Sequence, residues 1–200
     1  YTKKTGVEFQ TVYAPKGLAA RLKAEGERTD ADLVLTVDIS RIKELADTGL
    51  LAPLASDILN KHVPSHLRDA NDRWTALSLR ARIIAVSKDR VGKQAITTIE
   101  DLASPKWQGR VCSRKGSHVY NRAVLASLIA HNGKEAAKNW TLGLVDNLAR
   151  RPQGNDRAQA KAIYSGQCDV ALMNTYYYGK MKFAKDKPEQ QKWADSIEIA

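Results

Sequence analysis

The sequence predicts an α/β fold built on a parallel-rich sheet, and three observations predict it. Short apolar or alternating runs of strand length recur along the chain. Helical periodicity fills the stretches between them. Gly, or a capping Asp or Asn, marks most of the junctions. Length and composition agree: 200 residues, 43% hydrophobic and 27% charged, can bury a sizeable core and are not the composition of a disordered chain. Twelve Gly and six Pro exclude collagen-like and low-complexity classes. No apolar run approaches the ~18 residues that a membrane span requires.

Residues 7–13 alternate in the manner of a strand. Residues 16–25 read as a helix with Leu18 and Leu22 on one face, stopped near Gly26. The run 31–37 reads as a buried parallel strand. Asp38 and Ser40 can cap a helix through Ala46 that ends at Gly49. Residues 62–74 are polar and irregular, and 77–86 then reads as a strand longer than its neighbours. A short helix at 98–103, a turn at 104–107 and a short strand at 110–112 follow. Helices are expected at 121–130 and 134–142. Another is capped by Asn155 or Asp156, runs through Ile163 and is closed by Gly166. A strand at 169–173 leads into a helix capped by Asn174-Thr175.

The 32 Lys and Arg against 22 Asp and Glu leave a net charge of +10, which points to an anionic partner without naming one. The nucleophile elbow, the zinc-protease motif and the glycine-rich phosphate and dinucleotide loops are all missing, which weakens an enzymatic reading. Cys112 and Cys168 lie far apart and form no CxxC, so they are either a disulfide or two buried thiols. His62 and His66 have the i,i+4 spacing of a metal pair, but Pro64 between them disfavours the helix that spacing needs. The first residues carry neither an initiator Met nor an apolar core, so an upstream piece is expected to have been removed.

Tyrosine is the informative residue. Tyr176, Tyr177 and Tyr178 are consecutive and follow a predicted strand, in the loop before a helix, where open α/β sheets bind ligands. A phenol is a poor ligand while protonated, but a hard trivalent cation displaces that proton and takes the oxygen. The alternative is an aromatic cluster packing a lobe edge.

Asn174-Thr175-Tyr176-Tyr177-Tyr178-Gly179 resembles the N-[TS]-Y-Y-x-G motif of periplasmic ferric-ion-binding proteins, the solute-binding components of bacterial iron ABC transporters. Segments 35–38, 77–82, 101–107, 116–121 and 152–156 also resemble family segments, in family order. The resemblance implies a type II periplasmic-binding-protein fold of two lobes closing on one ferric ion, with no enzymatic activity. It implies metal ligands at Tyr176 and Tyr177, a further one at Tyr120, and Arg80 or Arg82 beside a synergistic carbonate or carboxylate. Tyr178 falls at the motif's variable position. By the same resemblance, residues 1–77 are part of lobe one, 78–86 a hinge strand and 87–200 lobe two. The protein is expected in the periplasm as a soluble monomer that passes iron to an ABC transporter permease and binds no nucleic acid. In that oxidising compartment Cys112 and Cys168, at the ends of strands in one lobe, are expected to pair. Family members carry an N-terminal strand with a Tyr and often a His, and continue past the equivalent of Ala200, so the chain is expected to be an internal fragment. The competing class is a basic polyanion- or nucleic-acid-binding protein. It calls for Lys and Arg clustered on one face, whereas here they are spread from Lys3 to Lys192.

Overall fold

A computed structural model describes residues 1–14, 17–92 and 96–200, and Lys16 of the first predicted helix lies outside them. The chain divides into two compact units, Tyr1–Ser78 and Leu79–Ala200.

The first unit is a set of short helices: α1 (Thr2–Thr5), α2 (Leu18–Glu25), α3 (Ile39–Ala46) and α4 (Asp57–His62). Local chemistry sets their ends. The Asp38 carboxylate accepts from the Ser40 amide at 3.2 Å and starts α3, and the Ser56 hydroxyl accepts from the Leu59 amide to start α4. Gly26, at φ 56°, ends α2 in backbone space that favours glycine. Leu22, Leu45 and Ala46 are its buried apolar residues. Arg73 ties this small core together, gripping Asp69 through Nε (2.6 Å) and Nη2 (3.1 Å) and donating to the Ala46 carbonyl.

Two predicted strands do not form here. Residues 7–13 and 31–37 are not in strands, and Phe9, Val12, Leu33 and Leu35 are exposed. A strand is completed by hydrogen bonds from a neighbour. Among the described residues of this unit the β pairing is one isolated bridge, Arg68 with Thr75. His62 ends α4, while His66 sits in a separate 3₁₀ turn after Pro64, so the two do not share a helix.

The second unit is a four-stranded mixed sheet with helices on both faces. Its strands are β1 (Arg82–Ser87), β2 (Val111–Cys112), β3 (Val170–Asn174) and β4 (Ile197–Ile199), in the order β2-β3-β1-β4. Helices α5 (Val119–Asn132), α6 (Lys134–Asp146), α7 (Asp156–Tyr164), α8 (Thr175–Lys182) and α9 (Pro188–Asp195) complete it. Alternation along the central strands sorts the core into two layers. Ile84, Val86, Val170 and Leu172 face one way with Val124, Leu128 and Trp140 of α5 and α6. Ala85, Ala171 and Met173 face the other way with Ala160, Ile163, Met181 and Ala194 of α7, α8 and α9. Gly143 of α6 marks a close approach: a Cβ there would meet the Ala103 carbonyl at 2.7 Å.

The sheet is less parallel than its sequence predicts. β2 and β3 are parallel, with Cys112 opposite Ala171, as a pair joined by a helical crossover should be. β1 is antiparallel to both β3 and β4, with Ile84 opposite Leu172 and Ala85 opposite Ile199. No single helical crossover joins β1 to either neighbour, so nothing imposes a parallel direction. The long strand expected at 77–86 is shorter and later. It runs Arg82–Ser87, and Leu77 and Leu79 before it are exposed. The short helix expected at 98–103 is a 3₁₀ turn, Glu100–Ala103.

Cys112 and Cys168 form a disulfide, with Cα atoms 5.9 Å apart. Beside it, Asp169 accepts from Arg90 Nε at 2.5 Å and Arg110 Nε at 2.7 Å. Burial raises the Asp169 pKa, but the hydrogen bonds from Arg90 and Arg110 outweigh it and hold the carboxyl below its usual range. A depressed folded value stabilises the fold above the unfolded carboxyl pKa, about 3.9. That stability is lost as pH falls through the folded value. Asp169→Asn is therefore expected to lower stability at pH 7 by roughly 1–3 kcal/mol, the scale of charged hydrogen bonds. In urea unfolding the gap to the parent should begin to narrow below about pH 4, where the unfolded parent's carboxyl takes up its proton, and close as pH falls through the lower folded value. A gap that does not change with pH would rule out the ion pairs as its source.

Candidate metal centre

Three aromatic hydroxyls are delivered by two helix starts in the second unit. Tyr120 is in the first turn of α5. His118 caps that helix, its Nδ1 accepting from the Tyr120 amide at 3.2 Å. Tyr176, Tyr177 and Tyr178 occupy the first turn of α8, whose N-cap is Asn174 at the end of β3. The sequence places this triplet in a loop ahead of the helix. In the structure the helix begins at Thr175, so the tyrosines are splayed by helical geometry, about 100° per residue.

The Tyr120 and Tyr176 phenol oxygens lie 3.1 Å apart, although the residues are 56 positions apart in the chain. The Tyr176 and Tyr177 rings stack, with centroids 4.5 Å apart. The Tyr177 phenol is pushed up, first by burial and then by its hydrogen bond with Tyr176. Tyr178 and Tyr177 both pack against the apolar layer under α7, α8 and α9.

Cations surround these rings. The Arg80, Arg114 and Arg82 guanidinium carbons lie 4.8, 5.1 and 5.6 Å from the Tyr120 centroid. Arg157 lies 4.9 Å over Tyr177, and Lys180 lies 5.5 Å over Tyr176. Arg82 is deeply committed to the protein. Its Nη1 donates to Asp156 Oδ2 (2.8 Å) and Asn174 Oδ1 (3.2 Å), and its Nη2 to Asn121 Oδ1 (3.1 Å) and the Leu172 carbonyl (3.2 Å). Burial pulls the Arg82 pKa down, and Asp156 pushes it back.

Of the predicted site residues, Tyr120, Tyr176, Tyr177, Arg80 and Arg82 are thus gathered at one end of the sheet. Sequence reasoning gave no contact in the site to Asp156 and Asn174, which it read as helix caps within family-like segments, and it did not single out Arg114. Asn174 is buried, and its Nδ2 is an orphan donor. Nothing in the local pattern marks Arg114. Its place shows only when β2 is laid beside β3. Groups of three or more His, Cys, Asp or Glu able to hold a metal are absent among the described residues. The oxygen donors that do converge are phenols, which suit a hard ion.

Comparison with known proteins agrees with this chemistry. The family model described as "Bacterial extracellular solute-binding protein" matches residues 29–194. Iron uptake protein A1 of Synechocystis sp. is 38% identical over 200 residues, which are all of this chain and 55% of that protein. The chain thus spans about half the length of the curated relatives it matches. A Bordetella ferric binding protein superposes with a TM-score of 0.91 at 42% identity, covering 100% of this chain and 63% of that one. A Trichodesmium protein in complex with iron and citrate ligands superposes with a TM-score of 0.93 at 40% identity, covering 99% and 63%. The fold is that of the type II periplasmic binding proteins, and the chain belongs to the bacterial extracellular solute-binding protein family, whose members are transport proteins rather than enzymes.

Proposed function

We propose that the protein carrying this chain binds ferric iron as its transported solute, through the phenolates of Tyr120, Tyr176 and Tyr177. The observation that carries the reading is the 3.1 Å approach of the Tyr120 and Tyr176 oxygens inside a ring of arginines. Three phenolates would balance the three charges of the ion. The surrounding cations would then favour an anion in a remaining position, a carbonate or a carboxylate next to Arg80 or Arg82. The buried Asn174 Nδ2 is a second donor that an anion would satisfy. In this reading residues 1–77 belong to one lobe, 78–86 to the crossing and 87–200 to the other. The protein works in the periplasm as a soluble monomer and delivers iron to an ABC transporter permease.

The experiment is a ferric titration of the full chain, with iron supplied as a weak chelate and followed by visible absorbance. A phenolate-to-iron charge-transfer band that saturates at one ion per chain is expected. A colourless, unsaturable titration would sink the reading. Salt-dependent heparin retention with no iron colour would favour the basic polyanion-binding alternative.

A further inference from the structure

Asp156 is the one carboxylate named above that reaches all the elements holding the three tyrosines. It lies in the first turn of α7 and is fully buried. Its Oδ2 accepts from Arg82 Nη1 at 2.8 Å and from the Asn174 backbone amide at 2.7 Å. Its Oδ1 accepts from Arg114 Nη1 at 2.9 Å. Each bond leads to a tyrosine. The Asn174 amide is the N-cap amide of α8, so that contact seats the turn carrying Tyr176 and Tyr177. Arg114 Nη2 meets His118 Nε2 at 2.7 Å, and His118 Nδ1 holds the Tyr120 amide. Arg82 Nη2 reaches Asn121 Oδ1, and Asn121 Nδ2 returns to Ser113 Oγ and the Arg114 carbonyl, both at 3.0 Å. Two helix starts from distant parts of the chain are thereby referred to one buried carboxylate.

We propose that Asp156 is a positioning residue for the ferric site: it sets the separation of the Tyr120 and Tyr176 oxygens without touching the ion. Two physical points support this beyond the contact list. A carboxylate in the dry first turn of a helix is held by the helix dipole as well as by its partners, so it is a fixed reference. Its guanidinium partners are planar forks, which transmit direction as well as charge. An ion pair that served stability alone would have no need to divide its bonds between the two tyrosine-bearing helix starts. The Asp169 pair with Arg90 and Arg110 provides the contrast. It has the same chemistry in the same unit, but its partners Arg90 and Arg110 lie just after β1 and just before β2, and their further bonds go to the Ile163, Cys168 and Arg90 carbonyls rather than to the tyrosine-bearing helix starts.

The inference rests on the ferric reading above only for its functional consequence, and the test separates the two. Asp156→Glu keeps the charge but moves the carboxylate by one methylene, and Asp169→Asn is the control. Both are made in the full chain and measured by crystal structure without iron and by ferric titration. Asp156→Glu is expected to open the Tyr120–Tyr176 oxygen pair beyond hydrogen-bonding distance. It should also weaken ferric affinity roughly 10–100-fold, as loss of an outer partner of a metal ligand does, and shift the visible band. Asp169→Asn should lower thermal stability and leave the pair, the band and the affinity unchanged. An intact oxygen pair in Asp156→Glu overturns the proposal, whatever happens to affinity. So does an affinity loss that tracks stability equally in both variants. If the parent shows no ferric band, the ferric reading falls, and positioning is judged on the oxygen separation alone. Should Asp156→Glu fail to fold, Arg114→Lys carries the same test. It keeps a cation on Asp156 and removes the fork that reaches His118.

Discussion

Tyr177→Phe is expected to weaken ferric binding by roughly 100-fold or more and to bleach most of the visible band. The change keeps the ring, its stacking on Tyr176 and its place under Arg157, and removes only the oxygen. Losing an outer partner of a metal ligand already costs about 10–100-fold, so losing a ligand should cost at least the upper end of that range. Tyr120→Phe and Tyr176→Phe should behave alike, each also removing one side of the 3.1 Å oxygen contact. Tyr178→Phe is the internal control, because Tyr178 falls at the variable position of the Asn174–Gly179 motif. Proton release sharpens the test. Each phenol that binds iron gives up its proton, so each ligand variant should release about one proton fewer per ion, and parent affinity should fall as pH falls. Burial and Tyr176 raise the Tyr177 pKa, so this proton is held well into the alkaline range until a metal displaces it. If Tyr177→Phe keeps both colour and affinity, the ligand assignment is wrong and the tyrosines are an aromatic cluster.

What the sequence could reveal follows from the range of the forces involved. Helices were legible because their signals are local. Asp38 and Asn155 cap where their neighbours predict, with Asn155 accepting from the Ala158 amide at 3.1 Å. The strand at Val170–Asn174 was legible because a run buried on both faces is continuously apolar. Residues 7–13 and 31–37 carry equally good strand patterns, but a pattern does not supply a partner, and pairing is not local. The direction of β1 was hidden for the same reason. In the site, the tyrosines stood out because three in succession are unusual and the motif around them resembles a family. Asp156 did not. An Asp in a first turn is the commonest of helix starts, and its burial exists only after β1, β2 and β3 bring Arg82, Arg114 and Asn174 to it. Arg82 was marked only by the resemblance, with Arg80, as a candidate anion holder; its bonds to Asp156, Asn174 and Asn121 were not legible, because they join residues 39 to 92 positions apart.

Removing the disulfide, as Cys112→Ala with Cys168→Ala, is expected to cost roughly 2–5 kcal/mol of stability. The bond joins the end of β2 to the residue two before β3, across a sequence separation of 56. In the chain-entropy account a loop of that size confers about 4 kcal/mol, between the values for 15 and 100 residues. The enclosed segment is α5, α6 and α7, which carry Tyr120 and Asp156. The cross-link therefore limits how far the unfolded chain can separate the elements that later form the site. Both sulfurs are buried in the same layer as Ala160 and Ile163, so the alanine variant also leaves a small cavity. Reduction of the parent protein leaves two thiols and no cavity. Comparing the two by guanidinium unfolding, the reduced parent should lose most of the stability that the double alanine variant loses. If the oxidised and reduced parent unfold at the same denaturant concentration, the bond adds nothing to stability. If only the alanine variant is destabilised, the cost belongs to packing and not to the cross-link.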